Sequence, residues 1–192
     1  MHYMLNYHKY LHKVSKLGLL YKRFFLHPFL LKLAGNVFLD VGCGIGLLLK
    51  SGSNKAVGLD INKYNVNHIK DQGLNAILIP ESGIFPVEDN SFSSVIIDQV
   101  IEHLEDPKYV LKEIDRVLSS PGKLIVGLPL ERGFQSDPDH VHFYTPASAI
   151  DLIENQTNLF HKKTIYYPLP YRYFGKLLRQ QSFYLLFETS SY

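Results

Sequence analysis

The hydrophobic pattern changes period repeatedly along the chain, and each change marks an element. Val37, Phe38, Leu39 and Val41 make a short apolar run with Asp40 at its carboxyl end, as a buried parallel strand requires. Gly42, Gly44 and Gly46 then alternate with Cys43 and Ile45, and Leu47-Leu48-Leu49 follows. That order reads as strand, glycine turn and the first turns of a helix. Residues 56–59 are a second apolar run, ending in Asp60.

Further along, residues 62–71 have helical spacing with Asn62 as N-cap, and Gly73 stops them. Residues 76–79 and 94–97 read as a third and fourth strand, the latter nearly all apolar. Asp106 caps a helix over 107–118 with Pro107 at its first position. Pro121-Gly122 turns into strand five, residues 123–128, and 129–145 reads as a loop. A helix over 146–155 and strands over 159–168 and 182–189 complete the pattern, with a short basic helix expected within 171–181. Upstream, residues 3–34 give one or two helices, with breaks at Gly18 and His27-Pro28.

The glycine turn is where chemistry enters. Glycines at this spacing let a ligand approach the backbone closer than a Cβ would allow. The helix expected after them would offer free amides to an anionic or carboxylate-bearing ligand. Asp60 falls some twenty residues after Asp40, where an acid is placed to take both hydroxyls of a ribose. Together the two features point to a nucleoside-containing cofactor. A nicotinamide fingerprint spaces its glycines differently, as G-x-G-x-x-G.

Composition narrows the setting. The chain has 192 residues, a formal net charge of +2 and one cysteine. That length suits one domain, the single cysteine excludes an internal disulfide, and no run approaches a membrane span. With no export signal recognised at the start, the expected location is cytoplasmic. Cys43 reads as a small turn residue. Charge is unevenly spread: residues 1–39 hold Lys9, Lys13, Lys16, Lys22, Arg23 and Lys32 and no acid. Lys162, Lys163, Arg172, Lys176 and Arg179 make the C-terminal part basic as well. These are either solvated helix faces or a surface for an acidic substrate, nucleic acid or an anionic membrane.

From Asp40 to Gly46 and at Asp60 the chain resembles the class I S-adenosylmethionine-dependent methyltransferases, of the type 11-like group. The resemblance runs over about 36–155. It includes Glu81-Ser82 after strand three, and Asp98-Gln99 followed by Ile101-Glu102-His103-Leu104 after strand four. It implies an α/β, Rossmann-like, seven-stranded and mostly parallel sheet with helices on both faces and an antiparallel last strand. It also implies one domain over 1–192: a helical cover (1–35), a cofactor-binding core (36–155) and a C-terminal strand hairpin (156–192). Tyr3, Tyr7, Tyr10 and Tyr21 could line that cover or simply pack.

The implied cofactor is S-adenosyl-L-methionine, held by Asp40, Gly42, Cys43, Gly44, Gly46, Asp60, Ile61, Glu81, Ser82, Asp98 and Gln99. Glu81 would face the adenine amine, and Ser82 would offer its backbone amide to the ring. The reaction expected is methyl transfer to a small-molecule acceptor, on oxygen. An oxygen acceptor must lose a proton, and His103 and His140 are the candidate bases. Each has a structural alternative, His103 as a helix-start residue and His140 as a loop-fixing hydrogen bonder; His142 is read as structural. Some relatives place Glu-x-x-Glu-His after strand four around a divalent cation. Here Gln99 replaces the first acid, a neutral amide is a poor hard-cation ligand, and no metal is expected. The partner expected is an acidic or carrier-linked small molecule, with peripheral membrane contact through the basic N-terminal helices and nucleic acid disfavoured. RNA methylation and a non-catalytic cofactor-binding or regulatory subunit remain alternatives. A nicotinamide oxidoreductase is disfavoured by the glycine spacing.

Overall fold

The computed structural model describes residues 8, 11, 15–52 and 55–190. Its strands form a seven-stranded mixed sheet in the order β3-β2-β1-β4-β5-β7-β6, numbered along the chain. The residues gather into two compact units, 1–88 and 89–192. Tyr3, Tyr7 and Tyr10 lie outside the described residues.

In the first unit α1 (Lys16–Tyr21) runs without a break through a π turn, Lys22–Leu26, into α2 (His27–Ala34). The breaks expected at Gly18 and His27-Pro28 do not occur. Gly18 sits in the first turn, where its amide donates to the Ser15 cap hydroxyl at 3.1 Å. Pro28 has no N–H to give, and the chain accommodates it with a wider turn in which the His27 amide reaches Lys22 O. Leu26, His27, Leu30 and Ala34 are buried, whereas Leu17, Phe24 and Phe25 are more than half exposed. Tyr21 stacks on Phe25 at 6.2 Å between ring centres.

β1 (Leu39–Val41), β2 (Val57–Asp60) and β3 (Asn75–Leu78) pair in parallel, Val41 opposite Leu59 and Asp60 opposite Leu78. β1 is shorter than its apolar run, and Val37 is left 45% exposed while Phe38 and Leu39 are fully buried. α3 (Lys63–Lys70) links β2 to β3, capped by Asn62, whose side chain accepts from the Tyr64 amide at 3.0 Å. Between the glycine turn and β2 the described residues hold no α-helix, only one 3₁₀ turn, Leu49–Ser51. Gly52 follows it with an extended backbone (φ −83°, ψ −172°), and the ten residues separating Gly46 from Val57 must also re-enter the sheet.

The second unit holds β4 (Phe92–Asp98), α4 (Lys108–Val117), β5 (Leu118–Pro129), α5 (Glu131–Gln135), α6 (Pro146–Gln156), β6 (Leu159–Tyr167) and β7 (Ser182–Thr189). β4 and β5 are parallel, and β7 runs antiparallel to both β5 and β6. The expected antiparallel last strand is therefore present. β5 starts earlier than the Pro121-Gly122 turn suggests: Phe92 pairs with Leu118 and Ser94 with Lys123, so residues 119–122 bulge from the ladder. The stretch after β5 is not all loop, since α5 occupies its first turn; the basic segment before β7 forms only a 3₁₀ turn, Arg172–Lys176.

The apolar face of α4 is carried by Leu111, Ile114 and Val117, all fully buried. Each such side chain contributes about 1.5–3 kcal/mol by leaving water. Asp106 Oδ1 accepts from the Lys108 amide at the start of α4. Thr145 and Ser148 exchange side-chain and backbone hydrogen bonds in a capping box that starts α6. The second cap ends the loop that carries His140 and His142.

Candidate functional site

The glycine turn folds back on the end of β2. Gly42, Gly44 and Gly46 have φ of 74°, 54° and 73°, backbone that side chains rarely adopt. At Gly46 a Cβ would also lie 2.8 Å from Ile69 of α3, so positive φ and close packing coincide there. The amides of Gly42 and Cys43 donate to Leu59 O (2.8 and 3.0 Å), that of Gly44 to Asp60 Oδ2 (2.9 Å), and that of Gly46 to Cys43 O (3.0 Å). Those four amides are already used within the protein. The helix N-terminus expected here does not form among the described residues; three of these amides go to β2, and that of Gly46 closes the turn on itself. A dinucleotide's pyrophosphate needs those donors. A nucleoside without phosphates does not.

Asp60 is 6% exposed. Besides Gly44, its carboxylate accepts from the Asn62 amide (2.7 Å) and from Asn65 Nδ2 (3.2 Å). Burial pushes its pKa up, and these three donors pull the other way. A carboxylate has about four acceptor positions, so most are taken by the protein. Asp60 thus holds the turn in shape as well as standing where a ribose is expected. Asn65, buried on α3 and also within 2.8 Å of His8 Nδ1, is a member of this group that the sequence reading misses. Its signal is the position three residues past the Asn62 cap. Asp40 is buried in β1, and burial, with the Asp40 and Asp60 charges, pushes the Cys43 thiol far up. Cys43 packs as a small residue, with Gly58 of β2 against it: a Cβ there would lie 2.6 Å from Sγ.

Ile61, next to Asp60, is 62% exposed. Glu81 and Ser82 are exposed in the turn after β3, where Gly83 N donates to Pro80 O. Because Asp60 is opposite Leu78, that turn leaves the sheet at the same edge as Asp60.

The second unit carries its own cluster at the carboxyl end of β4. Asp98 ends the strand opposite Gly127, and Gln99 takes a left-handed backbone (φ 57°) with its amide on Gly127 O at 3.0 Å. Gln99 Nε2 is buried without a hydrogen-bond partner. Glu102 and His103 follow on a 3₁₀ turn, Ile101–His103. The histidine loop returns to this turn by backbone, the amides of Val141 and His142 donating to Glu102 O at 2.7 and 3.1 Å. His140 is thereby set beside Glu102, Nε2 lying 3.9 Å from Oε1, with 4.6 Å between the centres of the His103 and His140 rings.

Each of these two rings is fixed through Nδ1. His140 Nδ1 donates to Phe134 O (2.7 Å) and His103 Nδ1 to Asp139 O (3.1 Å). A carbonyl can only accept, so Nδ1 carries a proton in both rings and the neutral tautomer of each leaves its lone pair on Nε2. Phe134 also stacks on His140 with 5.2 Å between ring centres. Glu102 is fully buried, and neither of its carboxylate oxygens has a hydrogen-bond partner. Burial pushes its pKa up to about 8, its backbone hydrogen bond opposes this, and the Asp98 and Asp137 charges add to it. Burial pulls His103 down, offset by its bond to Asp139. His142 is outside the cluster, bonded through Nε2 to Glu105 O, as its structural reading expects. Glu102, His103 and His140 each offer a ligand atom within 4.8 Å of the others, where the sequence alone counts one carboxylate and disfavours a metal.

Comparison with known proteins bears on the domain as a whole. Residues 39–126 match the family model described as a methyltransferase domain. A mitochondrial ubiquinone biosynthesis O-methyltransferase of Dictyostelium discoideum is 29% identical over 119 residues, 52% of this chain and 37% of that protein. A probable S-adenosylmethionine-dependent methyltransferase of Mycolicibacterium smegmatis is 29% identical over 132 residues, 63% of this chain and 51% of that protein. In three dimensions a Thermotoga maritima S-adenosylmethionine-dependent methyltransferase, described as a possible histamine N-methyltransferase, superposes with a TM-score of 0.69. It shares 16% identity and covers 98% of this chain and 99% of that one. The match to the Dictyostelium relative spans well under half of that protein's length. Residues 39–126, a little under half of the chain, thus carry the domain of the S-adenosylmethionine-dependent methyltransferases.

Proposed function

We propose that the chain transfers the methyl group of S-adenosylmethionine to a hydroxyl of a small, acidic or carrier-linked molecule. The observation that carries the oxygen acceptor is the Glu102–His103–His140 cluster, with two imidazole lone pairs held by fixed Nδ1–H bonds. An activated methyl needs little beyond in-line positioning, but a hydroxyl must also lose its proton. Two half-buried imidazoles, each with Nδ1 on a backbone carbonyl, suit that task. Ubiquinone O-methyltransferases among the relatives support the same acceptor class.

On the donor side, Asp60 and the turn at Gly42–Gly46 suit a nucleoside that brings no phosphate. The exposed apolar and basic residues of α1 and the π turn, Lys16, Leu17, Arg23 and Phe24 among them, favour an acceptor that is acidic or carried on a lipid.

The test is transfer of labelled methyl from S-adenosylmethionine to a panel of phenolic and carboxylate-bearing hydroxyl acceptors. Transfer that is lost in His140→Ala with donor binding intact supports the reading. Tight donor binding with no transfer to any hydroxyl acceptor overturns it in favour of a cofactor-binding subunit.

A further inference from the structure

The loop joining β6 to β7, residues 168–181, carries Arg172, Lys176 and Arg179 and no acid. It leaves the sheet where Tyr167 and Pro129 both pair with Ser182, at the carboxyl end of β5. Its inner side is tied down. Gln181, fully buried, donates through Nε2 to Leu169 O at 2.6 Å, and its own carbonyl accepts the Leu130 amide at 3.1 Å. Gly175 is buried so closely against Leu130 that a Cβ would lie 2.5 Å from the Leu130 Cβ. Arg172 pairs with Glu131 of α5 at 3.3 Å.

The outer side has the opposite character. Tyr171 and Tyr173 are 66% and 70% exposed, although both rings pack beside Phe174. Leu177 and Leu178 follow, 50% and 37% exposed, and Lys176 and Arg179 stand among them in solvent. Apolar side chains gathered on one exposed surface mark an interaction site. Tyrosine rings beside lysine and arginine heads suit a membrane–water interface, where the ring sits at headgroup depth and the cation meets lipid phosphate.

We infer that this loop docks on an anionic lipid surface, with Tyr173, Leu177 and Leu178 entering the headgroup layer and Lys176 and Arg179 on lipid phosphates. Nucleic acid would use the tyrosines and the cations, but it offers nothing to two exposed leucines. The anchored inner side means that little ordering is lost on binding. Docking by this loop turns the carboxyl end of β5 toward the lipid, and β4 brings Asp98 to the same sheet edge, opposite Gly127 of β5. That this presents a lipid-borne acceptor to the histidines rests on the function proposed above; binding to the surface itself does not.

The chain has no tryptophan, so Tyr173→Trp introduces a single reporter at the proposed contact. Its emission is followed with phosphatidylcholine vesicles containing phosphatidylglycerol, with phosphatidylcholine vesicles alone, and with single-stranded RNA. Cosedimentation of the unsubstituted chain with the same vesicles supplies the affinity. The expected result is a blue shift and binding on the mixed vesicles, weakened by added salt and far weaker on phosphatidylcholine alone. Leu177→Ser with Leu178→Ser, and Lys176→Ser with Arg179→Ser, should each weaken that binding at least about tenfold. The charge-matched pair Lys162→Ser with Lys163→Ser, on β6, should leave it unchanged. All six side chains are exposed, so the fold survives their loss. The inference is overturned if the mixed vesicles do not bind, if phosphatidylcholine alone binds equally, or if RNA binds in their place. Loop variants that bind as the unsubstituted chain does overturn it too. Vesicle binding without transfer to any hydroxyl acceptor leaves the surface standing and removes the methyl-transfer reading. Transfer without vesicle binding removes the surface alone.

Discussion

Asp60 Oδ2 accepts the Gly44 amide at 2.9 Å, so the acid that ends β2 also holds the glycine turn that follows β1. Removing the carboxylate therefore acts twice. Asp60→Ala should weaken S-adenosylhomocysteine binding by at least tenfold. It should also destabilise the fold by about 1–3 kcal/mol, since buried donors lose their acceptor. Calorimetry and urea unfolding separate the two effects, and unchanged affinity in a destabilised protein would leave Asp60 with a structural role only.

Gly58 is constrained by packing. An added methyl would meet Cys43 Sγ at 2.6 Å and Leu49 Cδ1 at 2.8 Å. Gly58→Ala should cost about 1–3 kcal/mol by overpacking. Adding Cys43→Gly should recover part of that loss, because the two sites share one space. Additive effects in the double variant, read by urea denaturation, would show that the contact does not set the cost.

His27 gives a pH signature in the first unit. It is 5% exposed, its Nδ1 lies 2.9 Å from Ser51 Oγ, and burial with the Lys22 charge lowers its pKa to about 4. The unfolded chain takes up the proton near pH 6.5 and the folded one only near 4, so between those values the unfolded state binds more protons. The His27 contribution is intact above pH 6.5 and is lost as pH falls through the window, by up to about 3 kcal/mol. His27→Gln should flatten that part of the stability profile. An unchanged slope would mean that other groups carry it.

His140→Ala should lower methyl transfer roughly 10²–10⁴-fold, the scale of acid–base assistance. Donor affinity should hold, because the donor residues named above lie on other elements. A loss of donor affinity matching the loss of turnover would mean that His140 acts on binding instead.

What the sequence discloses is mostly local. The Asn62 cap, the Asp106-Pro107 start and the helix beginning at residue 146 are each set by a few neighbouring residues and appear where expected. The turn at Gly42–Gly46 is legible for the same reason. Its amide partners are not, because Leu59 and Asp60 come from the next strand. Leu47-Leu48-Leu49 looks like a helix opening, yet Gly52 and the short return to β2 allow only a 3₁₀ turn. Pro28 looks like a break, yet a π turn absorbs it. The Glu102–His140 pairing is hidden for the strongest reason. Nearly forty residues separate the two, and they meet only because Val141 and His142 donate backwards to Glu102 O.

The most direct test of the account is calorimetry with S-adenosylhomocysteine and NADH in parallel, using Asp60→Ala as control. The account predicts that the homocysteine nucleoside binds and NADH does not, since the amides of Gly42, Cys43 and Gly44 are committed to β2, and that Asp60→Ala weakens the binding at least tenfold. NADH binding without the homocysteine nucleoside would contradict it.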